Sequence, residues 1–380
     1  MTYQKALEEH GTQRKAAASL GMPQSTFHAR LTKERQGLPD GPTKIRETDS
    51  PASIIPDGYR VKGTSTMYDA DGVPRMQWVK TDVDREMMEL LLVTAREEFA
   101  RTINPIAPCT DPVPVCDEDL MTCYVLTDLH MGALSWKPET GADWDIQIAE
   151  ETLIRYFAKA AAITPNAKRG LLLNLGDLLH TDGMVPVTPA SGHVLDADSR
   201  YQKMVRVAVR SLRIAVDLLL AKHEEVHILH CAANHDESAS AWLKECFAVF
   251  YENDPRVHVY TDPGVYHAIE WGDVSLFAHH GHKRNVKNIE TVFAAKFREI
   301  LGRTKYSYAH LGHLHSDEVK ETSLMRIERH RTLAAPDAYA ANGGWISGRS
   351  ASAPTYHKKF GEISRVVIPF EMIDPEADNG

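Results

Sequence analysis

Five short apolar runs in this chain each end in residues that bind metals or move protons. Cys123 to Thr127 leads into Asp128-Leu-His130, and Gly170 to Leu175 leads into Gly176-Asp177-Leu-Leu-His180. Val226 to Ala233 precedes Asn234-His235-Asp236, Val274 to Ala278 precedes His279-His280-Gly281-His282, and Tyr306 to Leu311 precedes Gly312-His313-Leu-His315. Imidazole, carboxylate and carboxamide donors suit Mn²⁺, Fe and Zn²⁺, and the lack of thiolates among them leaves the choice of metal open. Two divalent cations about 3.5–4 Å apart clamp phosphoryl oxygens and lower the pKa of a bridging water. A phosphate ester, which is anionic and repels an anionic nucleophile, needs such help. Taken singly, each piece is ordinary, because Asp-x-His occurs by chance and most histidines after a strand are structural.

Elements of one kind must bring these pieces together. Short apolar runs that end in loops read as strands of a sheet covered on both faces. Residues at the same end of several such strands converge in space although they are far apart in sequence. The expected class is therefore α/β (α+β), with a small all-α segment ahead of it.

The five pieces, in this order, resemble the calcineurin-like metallophosphoesterase superfamily, whose pattern is D-x-H, G-D, G-N-H-D/E, H and G-H-x-H. The match covers about residues 120–320 and implies a metallophosphoesterase sandwich of mixed β-sheets flanked by helices. The resemblance implies Asp128, His130 and His315 on one metal, and Asn234, His280 and His313 on the other, with Asp177 bridging. His280 is preferred over His279 and His282 because the family ligand usually ends its strand just before a small residue. His235 follows the ligand Asn234, where the family places a group facing the scissile phosphate. A histidine there protonates the leaving oxygen or stabilises transition-state charge. Asp236 either fixes the tautomer of His235 or caps the helix expected over residues 237–250. Two departures stand out: Ala233 replaces the usual Gly, and His180 stands where many phosphatases carry Asp.

The 380-residue chain has a formal net charge of −9, which excludes a protein that is basic throughout but not a local basic patch. Of 19 histidines, 15 lie between His130 and His315, so the metal chemistry and the histidine excess coincide. Five cysteines with no C-x-x-C pair, and no signal-like or membrane-spanning apolar stretch, read as a cytoplasmic protein with reduced thiols and no membrane partner. Composition divides the chain into a helical segment over 1–36, a Gly/Pro/Asp/Ser linker over 37–57 and a β-hairpin, helix and Pro-rich connector over 58–119. The phosphoesterase-like domain follows over 120–372, with a fraying tail over 373–380. Within 58–119 the strands lie around Tyr59 and Gln77, and the helical pattern runs over 84–101.

Residues 12–33 read as helix, Gly21-Met22 turn and second helix, with Ala17, Leu20, Phe27 and Leu31 as a small core. The stretch resembles the helix-turn-helix of Fis-type and resolvase-type segments, which implies that Gln24, Ser25, Thr26, His28 and Arg30 face DNA. Six Lys/Arg against three Glu in residues 1–36 agree with that. A helical hairpin used only for packing is the competing reading.

The substrate expectation is DNA. Gly176-Asp-Leu-Leu-His180 resembles the SbcD-like repair nucleases, and the overall layout resembles phosphoesterases of phages and prophages. Arg200, with Lys203 in the long segment after Asp177, and Lys283 with Arg284 are candidate phosphate contacts. The expected activity is a two-metal phosphodiesterase with Mn²⁺, or with Zn²⁺, Fe or Mg²⁺. A phosphatase or small-molecule phosphodiesterase with the same centre is the alternative, and a non-enzymatic DNA-binding regulator is a third. A homodimer is compatible with the sequence, which does not fix oligomeric state.

Overall fold

The computed structural model describes residues 2–35, 59–69, 74–83, 109, 113–189 and 192–374. The expected linker over 37–57, the helical pattern over 84–101, most of the Pro-rich connector and the end of the tail lie outside the described residues. The chain divides into two units, residues 1–102 and 103–380.

In the first unit, α1 (Tyr3–His10), α2 (Gln13–Ser19) and α3 (Gln24–Arg35) follow one another closely. The side chains of Thr2 and Thr12 accept from Lys5 N–H and Lys15 N–H, which starts α1 and α2. Ala6, Ala16, Ala17, Phe27 and Leu31 are buried together, with Leu20 half-buried against them. Helix α1, absent from the sequence expectation, supplies Ala6 to this core. Gly21 has φ of 66°, the left-handed conformation that turns α2 into α3. In the same unit β1 (Tyr59–Tyr68) and β2 (Pro74–Val83) pair antiparallel.

The second unit is a four-layer sandwich. Its chain order is β3 (Asp117–Leu126), α4 (Lys137–Thr140), α5 (Ile146–Ile163), β4 (Ala167–Asn174), α6 (Tyr201–Leu220), β5 (Glu225–His230), α7 (Glu237–Phe250) and β6 (Val257–Val259). Then come β7 (His267–Trp271), β8 (Val274–Ala278), α8 (Ile289–Lys296), α9 (Arg298–Arg303), β9 (Tyr306–Leu311), β10 (Glu318–Glu321) and β11 (Arg326–Arg329). Finally there are α10 (Ala338–Asn342), β12 (Ser350–His357) and β13 (Gly361–Pro369). One sheet has the order β13-β12-β3-β4-β5-β6 and the other β10-β11-β9-β8-β7. Strands β3 to β6 run parallel, as do β8, β9 and β11, so the mixed α/β class expected from the sequence is the one observed.

Between the sheets Met121, Cys123, Val125, Leu171, Leu173 and Leu229 meet Ile269, Trp271, Val274, Leu276 and Tyr356. Helices α5 and α6 pack against one another and cover the outer face of the first sheet. Phe293 and Ile289 of α8 cover Phe277 and Ile327 on the outer face of the second. Both faces of β3 and β4 are therefore dry, which is why those strands are continuous apolar runs rather than alternating ones. The five cysteines are all free, and burial pushes the Cys231 thiol up to about 12. No helix among the described residues is long and apolar enough to cross a membrane.

Most of the histidine excess outside the motifs is structural. His223 bonds Tyr124 Oη at 2.8 Å and donates from Nδ1 to Ala167 O at 2.6 Å. His230 Nδ1 lies 3.1 Å from Asn174 Nδ2, and a buried chain runs Tyr356–His310–His330–Ser352 through contacts of 2.9–3.1 Å. Burial, the largest cause in each, holds His223 to about 4 and His230, His310 and His330 to about 3.

These four are neutral when folded, yet each takes up a proton below about pH 6.5 once the chain unfolds. Their contribution is complete above that pH and is lost as pH falls towards the folded values. Each costs up to about 1.4 kcal/mol per pH unit over that window. His280, His315 and Asp236 shift the other way but are outnumbered. We expect the urea midpoint, measured with chelator throughout, to fall steeply between pH 6.5 and 4.5; a midpoint constant down to pH 4.5 would refute the assignment.

Candidate metal centre

The loops after β3, β4, β5, β8 and β9 meet at one end of the sandwich. Backbone hydrogen bonds lock them: Asp128 N–H donates to Gly176 O, His130 N–H to Asp177 O, and Gly312 N–H to His280 O. The last joins the end of β9 to the end of β8. His313 N–H then donates to Asp128 Oδ2 at 2.9 Å, joining the two sheets at the site.

Among the described residues only five non-glycines have positive φ: Asp128 (51°), His130 (46°), Asp177 (51°), His313 (78°) and His315 (54°). This conformation costs about 1 kcal/mol or more for an L-residue with a Cβ, and it persists only where the surroundings impose it. All five are among the residues selected from the sequence as ligands. Strain concentrated on them is what a site organised around converging side chains requires.

Three groups of ligand-type atoms converge within 4.8 Å among the described residues: Asp128, His130 and His315; Asp177, His280 and His313; and His130, His180 and His235. In the first, His130 Nε2 lies 3.2 Å from His315 Nε2, and His315 Nε2 lies 3.2 Å from Asp128 Oδ1. That Asp128 oxygen is buried and has no hydrogen-bond partner, and neither has His313 Nδ1.

In the second group His280 Nδ1 donates to Leu175 O at 3.1 Å. Its Nε2 then faces Asp177 Oδ2 at 3.1 Å and Asn234 Oδ1 at 3.0 Å. A neutral imidazole in that tautomer would direct a lone pair at other lone pairs, so Nε2 must carry either a proton or a metal ion. Burial alone lowers the His280 pKa, but Asp177 and then Asp128 outweigh it and raise it to about 9. Burial likewise raises Asp128 and Asp177, but His315 and His280 hold the former low and His280 the latter. The site demands positive charge, and the donor set fits divalent metal ions.

Asp177 Oδ1 accepts His235 N–H at 2.8 Å, leaving Oδ2 directed at His280. The sequence offered Asp236 as the acceptor that orients His235 or as the cap of α7, and the structure corrects both. Asp236 Oδ1 accepts Asp177 N–H (3.1 Å), while Oδ2 accepts Leu178 and Leu179 N–H (2.7 and 3.1 Å). Its carboxylate thus holds the turn carrying Asp177, and it makes no side-chain cap. Burial, then Asp177, raises its pKa to about 7. His235 Nδ1 instead donates to His180 O at 2.9 Å, which leaves Nε2 as the free ring nitrogen. The α7 cap comes from Asp182, whose carboxylate accepts Ser238 and Ala239 N–H at 2.6 and 2.8 Å. An Asp far from its helix in sequence gave no local signal.

His180 is brought into the cluster: its Nδ1 lies 3.4 Å from His130 Nδ1, and its ring stacks on His235 with centroids 5.6 Å apart. His279 is turned away, donating to Val265 O at 2.9 Å and packing on Tyr266. Ala233 is accommodated at the neighbouring loop, where Gly176 (φ 103°) lacks a Cβ that would collide with the Ala233 methyl.

No family model matches the chain, and no curated protein matches it. Some solved structures are similar to part of it. A dimetal phosphatase from Danio rerio is 9% identical with a TM-score of 0.36, covering 67% of this chain and 100% of its own. An archaeal phosphodiesterase is 11% identical with a TM-score of 0.33, covering 65% and 100%. Vps29 from Entamoeba histolytica, complexed with Zn²⁺, is 11% identical with a TM-score of 0.28, covering 66% and 99%. Likeness at this level extends to part of the backbone course only, so the metal-centre reading stands on the side-chain geometry above.

Gly312 makes that geometry achievable. A Cβ there would run into Thr127 Oγ1 and Asp128 Oδ2, so the His313 segment could not approach β3. Gly312→Ala is expected to lower divalent-metal affinity by about a hundredfold, within the range for loss of ligand orientation. Isothermal titration with Mn²⁺ or Zn²⁺ checks it, and wild-type affinity would contradict it.

The other selected residues are placed less decisively. Arg200 is exposed at the start of α6, and Lys283 and Arg284 are exposed beyond β8, with Lys283 near enough to His279 and His282 to act on their charge. In the first unit Gln24 is exposed, Thr26 half-buried, and the Ser25 side chain lies outside the described residues. His28 Nδ1 contacts Gln13 Oε1 at 3.0 Å, and Arg30 donates to Tyr3 Oη at 3.0 Å. Both residues are thus engaged inside their own unit.

Proposed function

We propose that this chain is a two-metal phosphodiesterase of the calcineurin-like metallophosphoesterase superfamily, and that its substrate is DNA. The observation that carries the reading is the coincidence of five left-handed non-glycine residues with converging carboxylate and imidazole donors, of which Asp128 Oδ1 and His313 Nδ1 are buried without a hydrogen-bond partner. Asp128, His130 and His315 would hold one ion and Asn234, His280 and His313 the other, with Asp177 Oδ2 shared between them. Two bound divalent cations, Mn²⁺ in this proposal, would neutralise the phosphoryl oxygens and make a water nucleophilic at neutral pH.

The chain's own residues do the rest. Asp236 fixes the turn that presents Asp177. The His180 carbonyl holds His235 Nδ1–H, so that a proton on His235 Nε2 is aimed at the leaving oxygen. His180, stacked on that ring, keeps it over the site. The helix-turn-helix sequence and the basic Arg200, Lys283 and Arg284 support DNA over a small ester. Five unpaired cysteines fit the reducing cytoplasm.

The test is a Mn²⁺-dependent assay on single- and double-stranded DNA beside chromogenic bis- and monoesters. DNA and bis-ester cleavage that stops with chelator is the expected result. Monoester cleavage with intact DNA would refute the nuclease and favour a phosphatase.

A further inference from the structure

The loops that follow the ligands carry large apolar side chains outward. Leu134 and Trp136 lie four and six residues beyond His130, Met184 and Val185 follow His180, and Leu314 separates His313 from His315; all are exposed. The most aromatic of these surfaces is built by α4 and α10, which pack on one another. Trp136, at the start of α4, is 64% exposed, and Tyr339 and Trp345, in and after α10, are 74% and 59% exposed.

This surface is tied to the metal centre and is rigidly made. Ser347 Oγ, two residues past Trp345, donates to the carbonyl of His315 at 2.6 Å. Asp337, whose side chain caps α10 through Ala340 N–H at 2.8 Å, is near enough to His180 to act on its charge. The rings of Tyr339 and Trp345 lie 5.1 Å apart. Trp345 N–H donates to Ala340 O at 3.0 Å, and its ring lies over Gly343, where a Cβ would stand 2.8 Å from the indole. Gly343 thus makes the room in which the indole is held.

We propose that Trp136, Tyr339 and Trp345 form a stacking platform for unpaired nucleobases, so that the strand entering the metal centre is single-stranded. The proposal rests on the phosphodiesterase reading, because a phosphate held at the metals projects its own nucleoside over the adjoining rim. The flat aromatic faces suit a base: stacking is tolerant of sequence, and in other single-strand binders it strengthens binding about tenfold for each ring.

The experiment uses the full chain and two equal-length strands, oligo(dT) and an abasic deoxyribose-phosphate oligomer. Binding is read by tryptophan quenching, and turnover by Mn²⁺-dependent cleavage. The wild type should bind oligo(dT) at least tenfold more tightly than the abasic strand and cleave it with the lower KM. Trp345→Ala and Tyr339→Ala should each remove about tenfold of that preference while leaving abasic cleavage and metal affinity unchanged. Gly343→Ala, which displaces the indole without deleting it, should do the same. Equal binding of the two strands, or a preference that survives in all three variants, would overturn the platform. Quenching by oligo(dT) alone, lost in Tyr339→Ala and Gly343→Ala, which keep every indole, would support it even if neither strand were cut; that combined result would refute the nuclease reading and keep the base-binding one.

Discussion

Asp177→Ala should lower turnover of any phosphodiester by about a thousandfold or more and remove most bound divalent metal. The reason is positional. Asp177 Oδ2 is 3.1 Å from His280 Nε2, and Asp177 Oδ1 anchors the backbone of His235, so one substitution would strip the proposed shared ligand and release the loop that carries His235. Several kcal/mol of charge stabilisation would go with the metals, at about 1.4 kcal/mol per tenfold in rate. Asp177→Asn separates the two effects: the amide oxygen still accepts from His235 N–H, so the loop stays in place, but the anionic bridge is gone. It should therefore bind metal weakly without losing thermal stability. Full activity in either variant would mean that this geometry is not a catalytic centre.

His235→Ala should behave differently. Its ring converges with His130 and His180 but lies outside the two ligand sets of the proposed centre, so metal content should remain at the wild-type value. Turnover should fall by about 10²–10⁴-fold on substrates whose leaving alkoxide needs a proton, such as a deoxyribose oxygen. On a nitrophenyl ester, whose leaving group departs as a stable anion, the loss should be much smaller. That leaving-group dependence distinguishes a proton donor from a residue that only shapes the loop. An equal loss on both substrates would assign His235 to positioning or to charge stabilisation instead. His180 is tested beside it: its carbonyl, not its ring, makes the bond to His235, so a substitution there changes stacking while keeping the hydrogen bond.

The convergence of these side chains was readable because each of the runs ends in one of them and the strands are parallel. Asp128, Asp177 and Asn234 follow β3, β4 and β5 of one sheet, and His280 and His313 follow β8 and β9 of the other. What the runs could not show was where a side chain's partners lie when they come from another loop. Asp236 looked like a helix cap or a histidine partner by adjacency, yet its acceptors' mates are 57–59 residues earlier in the turn after β4. Asp182 caps a helix that begins more than fifty residues later. His223, His230, His310 and His330 were counted but unassigned, since the Tyr, Asn and Ser groups that satisfy them are distant in sequence.

The aromatic rim was illegible for a related reason. Trp136, Tyr339 and Trp345 sit in stretches without periodicity, and only the packing of α4 on α10 brings those stretches together. Ala233 raises the opposite lesson. It reads as a departure from a glycine pattern, but the room it needs is supplied by Gly176 on the adjoining loop.

Metal stoichiometry tests the central claim most directly. Full-length protein is stripped with chelator, equilibrated with Mn²⁺ and analysed for bound metal after removal of free ion, beside Asp177→Ala. The geometry calls for two equivalents per chain in the wild type and clearly less in the variant. A wild type that binds no divalent metal, or a variant that binds two equivalents as tightly as the wild type, would contradict it.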